Sequence, residues 1–504
     1  MLDQLSPVAP ARVRVVLLPI GQIKRERFLS FVERLQPQNV VRLGDISPDG
    51  RPNRNMFSPL AFPLGMIVYD LTTHFPPSTH LALSPFELYR EPLVIIALAD
   101  GAELEHTSYK GVSRKSPNGT GVSRLDQNVR NLYQDLEDLR DRYPKALVHQ
   151  VLLFDHVHEK PATALPEGLV AIPPAAECGL TTMKTVMCDI SALLLAEMTT
   201  LARSLQALTT IESPSQSGNR PYNGGSWGGG SPDGSSRRNS QFSVPQQDSR
   251  SSSPASAVDR ANYRIPATGL RSDSPPTFDN IIGDTGLTSK NLPSRLGTPS
   301  STKIRDSSRD RVSIIGFGSG STSERSRNKG KSRVGIVIGS MYMCAGRWSD
   351  ALRELVESAA IAKANLDHLW HAKALDNILV SMLMLAWAGL DFQIPQICYV
   401  SADKAPSLTS ALEPRSPASN RLVSLQNLAI LLPELLDRIL NLYTRAANNN
   451  GEAMPQHPFS ETVIRYAKLS SAMHIGGGQL NNEVLQLVVL GTPFKKPPIS
   501  RRLV

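Results

Sequence analysis

Residues 213–333 constrain the fold of this chain most, because nothing in them can build a core. Stretches such as GGSWGGGSPDGSSRRNS and DSSRDRVSIIGFGSGSTSERSRNKGKS are Ser, Gly, Pro and charge. Their few apolar side chains cannot offset the entropy lost on ordering the backbone. A structureless segment of that length is foreign to a compact domain, so it reads as a disordered insertion that divides the 504-residue chain. The expected organisation is an α/β domain at 1–211 ending in a long helix, and a disordered basic Ser/Gly/Pro-rich linker at 212–332. An all-α tetratricopeptide-like solenoid follows at 333–490, with a tail at 491–504.

The charge follows the same division. The formal net charge is +9, and residues 212–331 alone hold 17 Lys/Arg against 10 Asp/Glu. Little surplus is left for a folded basic groove, which argues against a nucleic-acid partner. Four cysteines, at 178, 188, 344 and 398, form no C-x-x-C pair, as expected of inert thiols in a reduced, cytoplasmic compartment. The start, Met1-Leu2-Asp3-Gln4, has no secretory signal. The longest apolar run, 378–390, is broken by Ser381 and holds 13 residues, where a membrane-spanning helix needs about 20. A soluble protein is expected, with any membrane contact peripheral.

Before the break, nearly continuous apolar runs alternate with helical spacing. Residues 13–20 (VRVVLLPI), 40–43, 66–71 (MIVYDL), 93–99 (LVIIALA) and 146–154 (ALVHQVLLF) read as buried strands. Phe28, Phe31, Val32 and Leu35 mark one helix face; Leu125, Val129, Leu132, Leu136 and Leu139 mark another. That alternation predicts a mixed or parallel sheet with helices on its faces. Residues 184–189 read as a short strand and 190–211 as a long helix.

After the break, the window 332–365 fits a tetratricopeptide helix pair. Ile338-Gly339, Tyr342, Ala351 and Leu355 occupy the repeat's slots, while Gly335 and Lys363 stand where a bulky residue and a proline belong. Small Gly339 and Ala351 would let two helices approach, with Tyr342 and Leu355 filling the gap between them. Such a unit needs stacked neighbours; an ordinary helical hairpin with accidental spacing is the competing reading. Trp370, Ala374, Ile378 and Met382 continue at intervals of four, predicting a helix packed on both sides. Residues 425–443 and 461–474 read as further helices, and a stack ending in GTPFKKPPISRRLV lacks a polar cap, as expected of the front part of a longer protein.

Candidate chemistry is sparse. Gly330-Lys331-Ser332 resembles the end of a phosphate loop, but Arg325 replaces the required glycine. Gly316-Phe317-Gly318-Ser319-Gly320 reads as flexible linker. His156 and His158 lie two apart after a strand, without a third ligand, and suit a solvated turn better than a metal. The strand-one exit, Pro19-Ile20-Gly21-Gln22, stands where an open α/β sheet binds ligands, without the three-glycine fingerprint. No catalytic, cofactor or metal residues are assigned. Ser240, Ser253, Ser274 and Thr298 are candidate phosphorylation sites, from one basic and three Ser/Thr-Pro contexts.

Long strings on both sides of the break carry a resemblance. VRVVLLPIGQIKRERFLSFVERL, VRLGDISPDGR, FSPLAFPLGMIVYDL and LSPFELYREPLVIIALADG precede it; GRWSDALRELVESAAIAK and DHLWHAKALDNILVSMLMLAWAGLDFQIPQICY follow it. They resemble the amino-terminal region of the TRAPP II-specific large subunit family, of the fungal hypercellular protein HypA and animal NIK- and IKK-beta-binding protein type. The similarity covers roughly 11–210 and 333–480. It implies a non-enzymatic scaffold subunit of a cytoplasmic vesicle tethering complex, peripheral at the Golgi and trans-Golgi network and serving endosomal traffic. Partners would be the small core and TRAPP II-specific subunits, and through the complex a Rab-type GTPase whose nucleotide exchange it supports. Family members are longer and continue into β-sandwich domains. The alternatives are a nucleotide-binding α/β switch or enzyme, or a free-standing tetratricopeptide-type peptide adaptor.

Overall fold

The computed structural model describes residues 2–51, 54–106, 124–156, 165–179, 181–214, 318–400 and 417–491. Six strands form one sheet in the order β2-β3-β1-β4-β5-β6: β1 (Arg12–Pro19), β2 (Val40–Arg42), β3 (Met66–Thr72), β4 (Pro92–Asp100), β5 (Val148–Phe154) and β6 (Leu169–Ile172). All neighbours run parallel except β2, which pairs antiparallel with β3 at the edge through Val40 opposite Val68. Central β4 (PLVIIALAD) is buried along its whole length, the reason its sequence shows no alternation.

Helices α1 (Arg25–Leu35), α2 (Ser78–Leu81), α3 (Gly101–His106), α4 (Arg124–Arg142) and α5 (Thr182–Gln206) accompany the sheet. Leu132 and Leu136 of α4 cover Ala97, Ala99, Val151 and Leu153 on one face. Opposite-pointing Val94, Ile96, Leu98 and Leu152 join the core that holds α1 and α5. The expected strand at 184–189 is instead part of α5. Met183, Val186, Met187, Ile190 and Leu194 recur at helical spacing and are all buried, so packing overrides the short β-like run. α5 is long and apolar enough to cross a membrane, yet its most apolar window is mostly buried within the protein, as in a core helix.

The second half is helical: α6 (Gly318–Cys344), α7 (Trp348–Ala364), α8 (His368–Trp387), α9 (Pro417–Asn450), α10 (Gln456–Ile475) and α11 (Asn482–Leu490). α8 is buried from Leu369 to Ala386, its polar Lys373 and Asp376 included, and packs on α6, α7, α9 and α11. Sheet and helices share one hydrophobic core within one compact unit. Their contact lies at the amino ends of the strands. α6 packs on the 3-10 turns Ala9–Ala11 and Leu88–Arg90, which lead into β1 and β4. Arg12 at the start of β1 donates to the carbonyl of Val489 at 2.6 Å, and Ser6 Oγ donates to that of Val488 at 2.8 Å. A guanidinium there complements the negative end of α11.

The edges of the expected linker also differ. α6 starts at Gly318, and it is buried at Gly330 and then from Ser332 to Met341, with Lys331 between them exposed. A Cβ on Gly330 would stand 2.0 Å from the carbonyl oxygen of Thr209, so this glycine is where α6 meets the chain leaving α5. Ser213 is fully buried. The Ser/Gly/Arg composition concealed the contact because the apolar run of α6 begins only at Val334. The tail at 492–504 lies outside the described residues.

Candidate functional site

In an open parallel sheet the ligand crevice lies beyond the strands' carboxyl ends, where the strand order reverses. Here that point falls between β1 and β4, and a cleft lined by Ile20, Gly21, Gln22, Asp100 and Asn131 opens there. Asp100, which lines it, is already engaged by the chain's own charges. Arg27 of α1 holds Asp100 through two bonds of 2.9 and 3.0 Å and reaches Asp155 at 2.7 Å. Arg34, two turns along the same helix, holds Asp155 at 2.9 Å and the carbonyl of Pro173 at 3.3 Å. Phe31 stacks on Phe154 at 4.3 Å, with Arg27 over one ring and Arg34 over the other. The Asp100 hydrogen bond holds Arg27 above the ordinary guanidinium range. Two guanidiniums thus neutralise two carboxylates, and neither pair is left to grip a phosphate or a hydrated magnesium.

A second charged cluster joins the sheet to the helices. Glu87 and Arg90, beside β4, meet Lys373 and Asp376 of α8 and Glu461 and Arg465 of α10. Arg90 bonds both Glu87 and Glu461. Lys373 Nζ lies 3.8 Å from Glu87 and 3.5 Å from Asp376. Asp376 also accepts from Arg465 at 3.2 Å and from the Tyr466 hydroxyl at 3.0 Å. Burial alone would raise the Asp376 carboxyl, but Arg465 and Lys373 hold it below its ordinary range; burial lowers Lys373. Three cations face three carboxylates, and all but Glu461, at the rim, are buried. Such a set adds little net stability but penalises any docking that breaks a pair. It fixes how α8 and α10 sit against the start of β4.

The helix-packing residues come together, with altered roles. Ile338, Ala351 and Leu355 are buried, and α6 packs on α7. A Cβ on Gly339 would meet Leu355, at 2.6 Å, among its nearest neighbours rather than Ala351. Gly335, the misfit of the repeat pattern, lies closer still to α7: its Cβ would stand 2.1 Å from Ser358 Oγ. Tyr342 does not fill the gap between the helices; its ring lies 4.8 Å from Phe57 of the sheet half. Lys331 and Ser332 lie inside α6, not in a loop. His156 follows β5 and is buried rather than solvated. His158, Gly316, Phe317 and the candidate phosphorylation sites Ser240, Ser253, Ser274 and Thr298 lie outside the described residues. All four cysteines are free, and burial pushes Cys344 and Cys398 up to about 12.

Spacing gave no hint of Arg333. It donates to Asp367 at 2.8 Å, Glu452 at 2.7 Å and the carbonyl of Ile211 at 3.1 Å. Ser213 joins the same cluster by accepting from Trp370 Nε1 at 3.0 Å and donating to Glu452 at 2.8 Å. The two segments flanking residues 215–317 are therefore tied to α8 and to each other.

Comparison with known proteins agrees with this arrangement. The family model described as the Trs120/TRAPPC9 N-terminal domain matches residues 4–398, taking in the sheet and α6 to α8. The Trs120/TRAPPC9 TPR model matches 428–502, so the window 332–365 falls within the first match and the repeat-type match begins later. Among curated relatives, the transport protein particle subunit trs120 of Schizosaccharomyces pombe is 26% identical over 98% of this chain and 33% of its own length. The trafficking protein particle complex II-specific subunit 120 of Saccharomyces cerevisiae is 25% identical over 96% of this chain and 36% of its own. The chain spans about a third of the length of these relatives.

Proposed function

The chain belongs to the Trs120/TRAPPC9 family, and from that premise we propose that it serves as a non-catalytic scaffold subunit of the TRAPP II vesicle tethering complex. In this reading it contacts small core and TRAPP II-specific subunits and supports nucleotide exchange on a Rab-type GTPase. It acts in the cytoplasm, peripherally at the Golgi and trans-Golgi network, in late-Golgi and endosomal traffic. Its helices would form the first layers of a tetratricopeptide-like solenoid.

The observation that carries the reading is the self-neutralised crevice. The sheet has the strand order of a ligand-binding α/β fold, but at the carboxyl ends of β4 and β5 Arg27, Arg34, Asp100 and Asp155 satisfy one another. Affinity purification of the full chain from cell extract tests the proposal. Small TRAPP core subunits should co-purify, and titration with nucleotides and magnesium should show no binding tighter than about 10 µM, about 7 kcal/mol. Tight nucleotide binding without core subunits would instead make the sheet a nucleotide switch.

A further inference from the structure

His80, His457 and Glu461 bring two imidazoles and a carboxylate to one point on the surface, with their donor atoms all within 4.8 Å of one another. His80 comes from α2 of the sheet half; His457 and Glu461 stand one turn apart on α10. His457 Nδ1 and Glu461 Oε1 are 3.4 Å apart, close to the roughly 3.3 Å edge of a tetrahedron with metal–ligand bonds of about 2.05 Å. The two rings are 5.0 Å apart and tilted by 44° rather than stacked.

Arg90 bonds Oε2 of Glu461 and leaves Oε1 toward the histidines. A donor on the distal oxygen of a ligating carboxylate is the usual outer-shell support of a metal site. Arg90 Nη1 also stands 3.5 Å from His80 Nδ1, too long to claim that lone pair firmly.

We propose that His80, His457 and Glu461 form a binding site for a zinc-type divalent ion that clamps α10 to the sheet half, with a fourth position open to water. Two imidazoles and one carboxylate select a borderline ion over magnesium or calcium. Zinc titration of the full chain, free of any polyhistidine tag, tests this through a competing chromophoric chelator. One zinc per chain should bind, magnesium should not compete, and His80→Ala and His457→Ala should each weaken binding at least tenfold. Zinc should raise the melting temperature of the parent chain and not of either variant. His457 is exposed, so its replacement leaves the fold intact, as circular dichroism would verify. No zinc binding at all, or binding unchanged in His457→Ala, which would place it elsewhere, for example at Cys178, would overturn the proposal.

Discussion

Gly346 carries two constraints at once. It closes α6 with φ at +73°, and a Cβ there would stand 2.3 Å from the carbonyl oxygen of Met66 at the start of β3. Gly389 closes α8 at +77° with nothing near its Cβ position. Gly389→Ala should therefore cost only the left-handed penalty of about 1–2 kcal/mol. Gly346→Ala adds a backbone collision and should cost about 3 kcal/mol or more. Leu366 ends α7 at φ +55° with its side chain exposed; Leu366→Gly should gain up to about 1 kcal/mol. Urea unfolding of the three variants checks the order.

His371 of α8 gives a pH signature. Burial first, then Arg438 and Lys363, lower its imidazole from 6.5 to about 3. Above pH 6.5 both folded and unfolded forms are neutral and the residue is silent. As pH falls from 6.5 toward 3 the unfolded chain takes up a proton that the folded one refuses, so stability is lost across that window. His371→Leu should narrow the stability difference between pH 7.5 and pH 5, read from denaturant midpoints. An unchanged difference would mean that the imidazole reaches water.

At the scale of elements, α6 and α7 approach through Gly335 and Gly339, with Ala351 fully buried on α7. Ala351→Trp should overpack α7 at a cost of about 1–3 kcal/mol. Arg353→Ala, with a side chain 77% exposed, should stay within about 0.5 kcal/mol of the parent. Equal melting temperatures for the parent and Ala351→Trp would contradict this packing. The long strands were legible because β1, β3, β4 and β5 are continuous apolar runs that only a covered sheet can use. β6 has four residues, LVAI, too few to show a pattern. α11 went unread although Asn481 caps its start and Gly491 ends it, because nine residues between a glycine-rich stretch and a Pro/Lys/Arg-rich end show little periodicity. The crevice network was beyond local reading for another reason. Arg27 and Arg34 share a helix face, but Asp100 and Asp155 reach them only once β4 and β5 lie side by side. Their place at the ends of two apolar runs was the one available signal.

At the scale of the whole molecule, the sequence suggested two bodies, and the described residues form one. The helices dock on the amino ends of the strands, and Arg12, Arg90, Arg333 and Lys373 each tie segments that lie far apart in the chain. The carboxyl ends of the strands stay outside that contact. The proposed scaffold role would use this rigidity, because a surface that presents subunits to one another must hold its own halves in register. The most direct test is to place a protease site within residues 231–314 of the full chain, cut it, and follow the pieces by size exclusion with light scattering. The single core predicts that the pieces elute together at the mass of the uncut chain and melt in one transition. Separation into a sheet fragment and a helical fragment, each melting on its own, would contradict it.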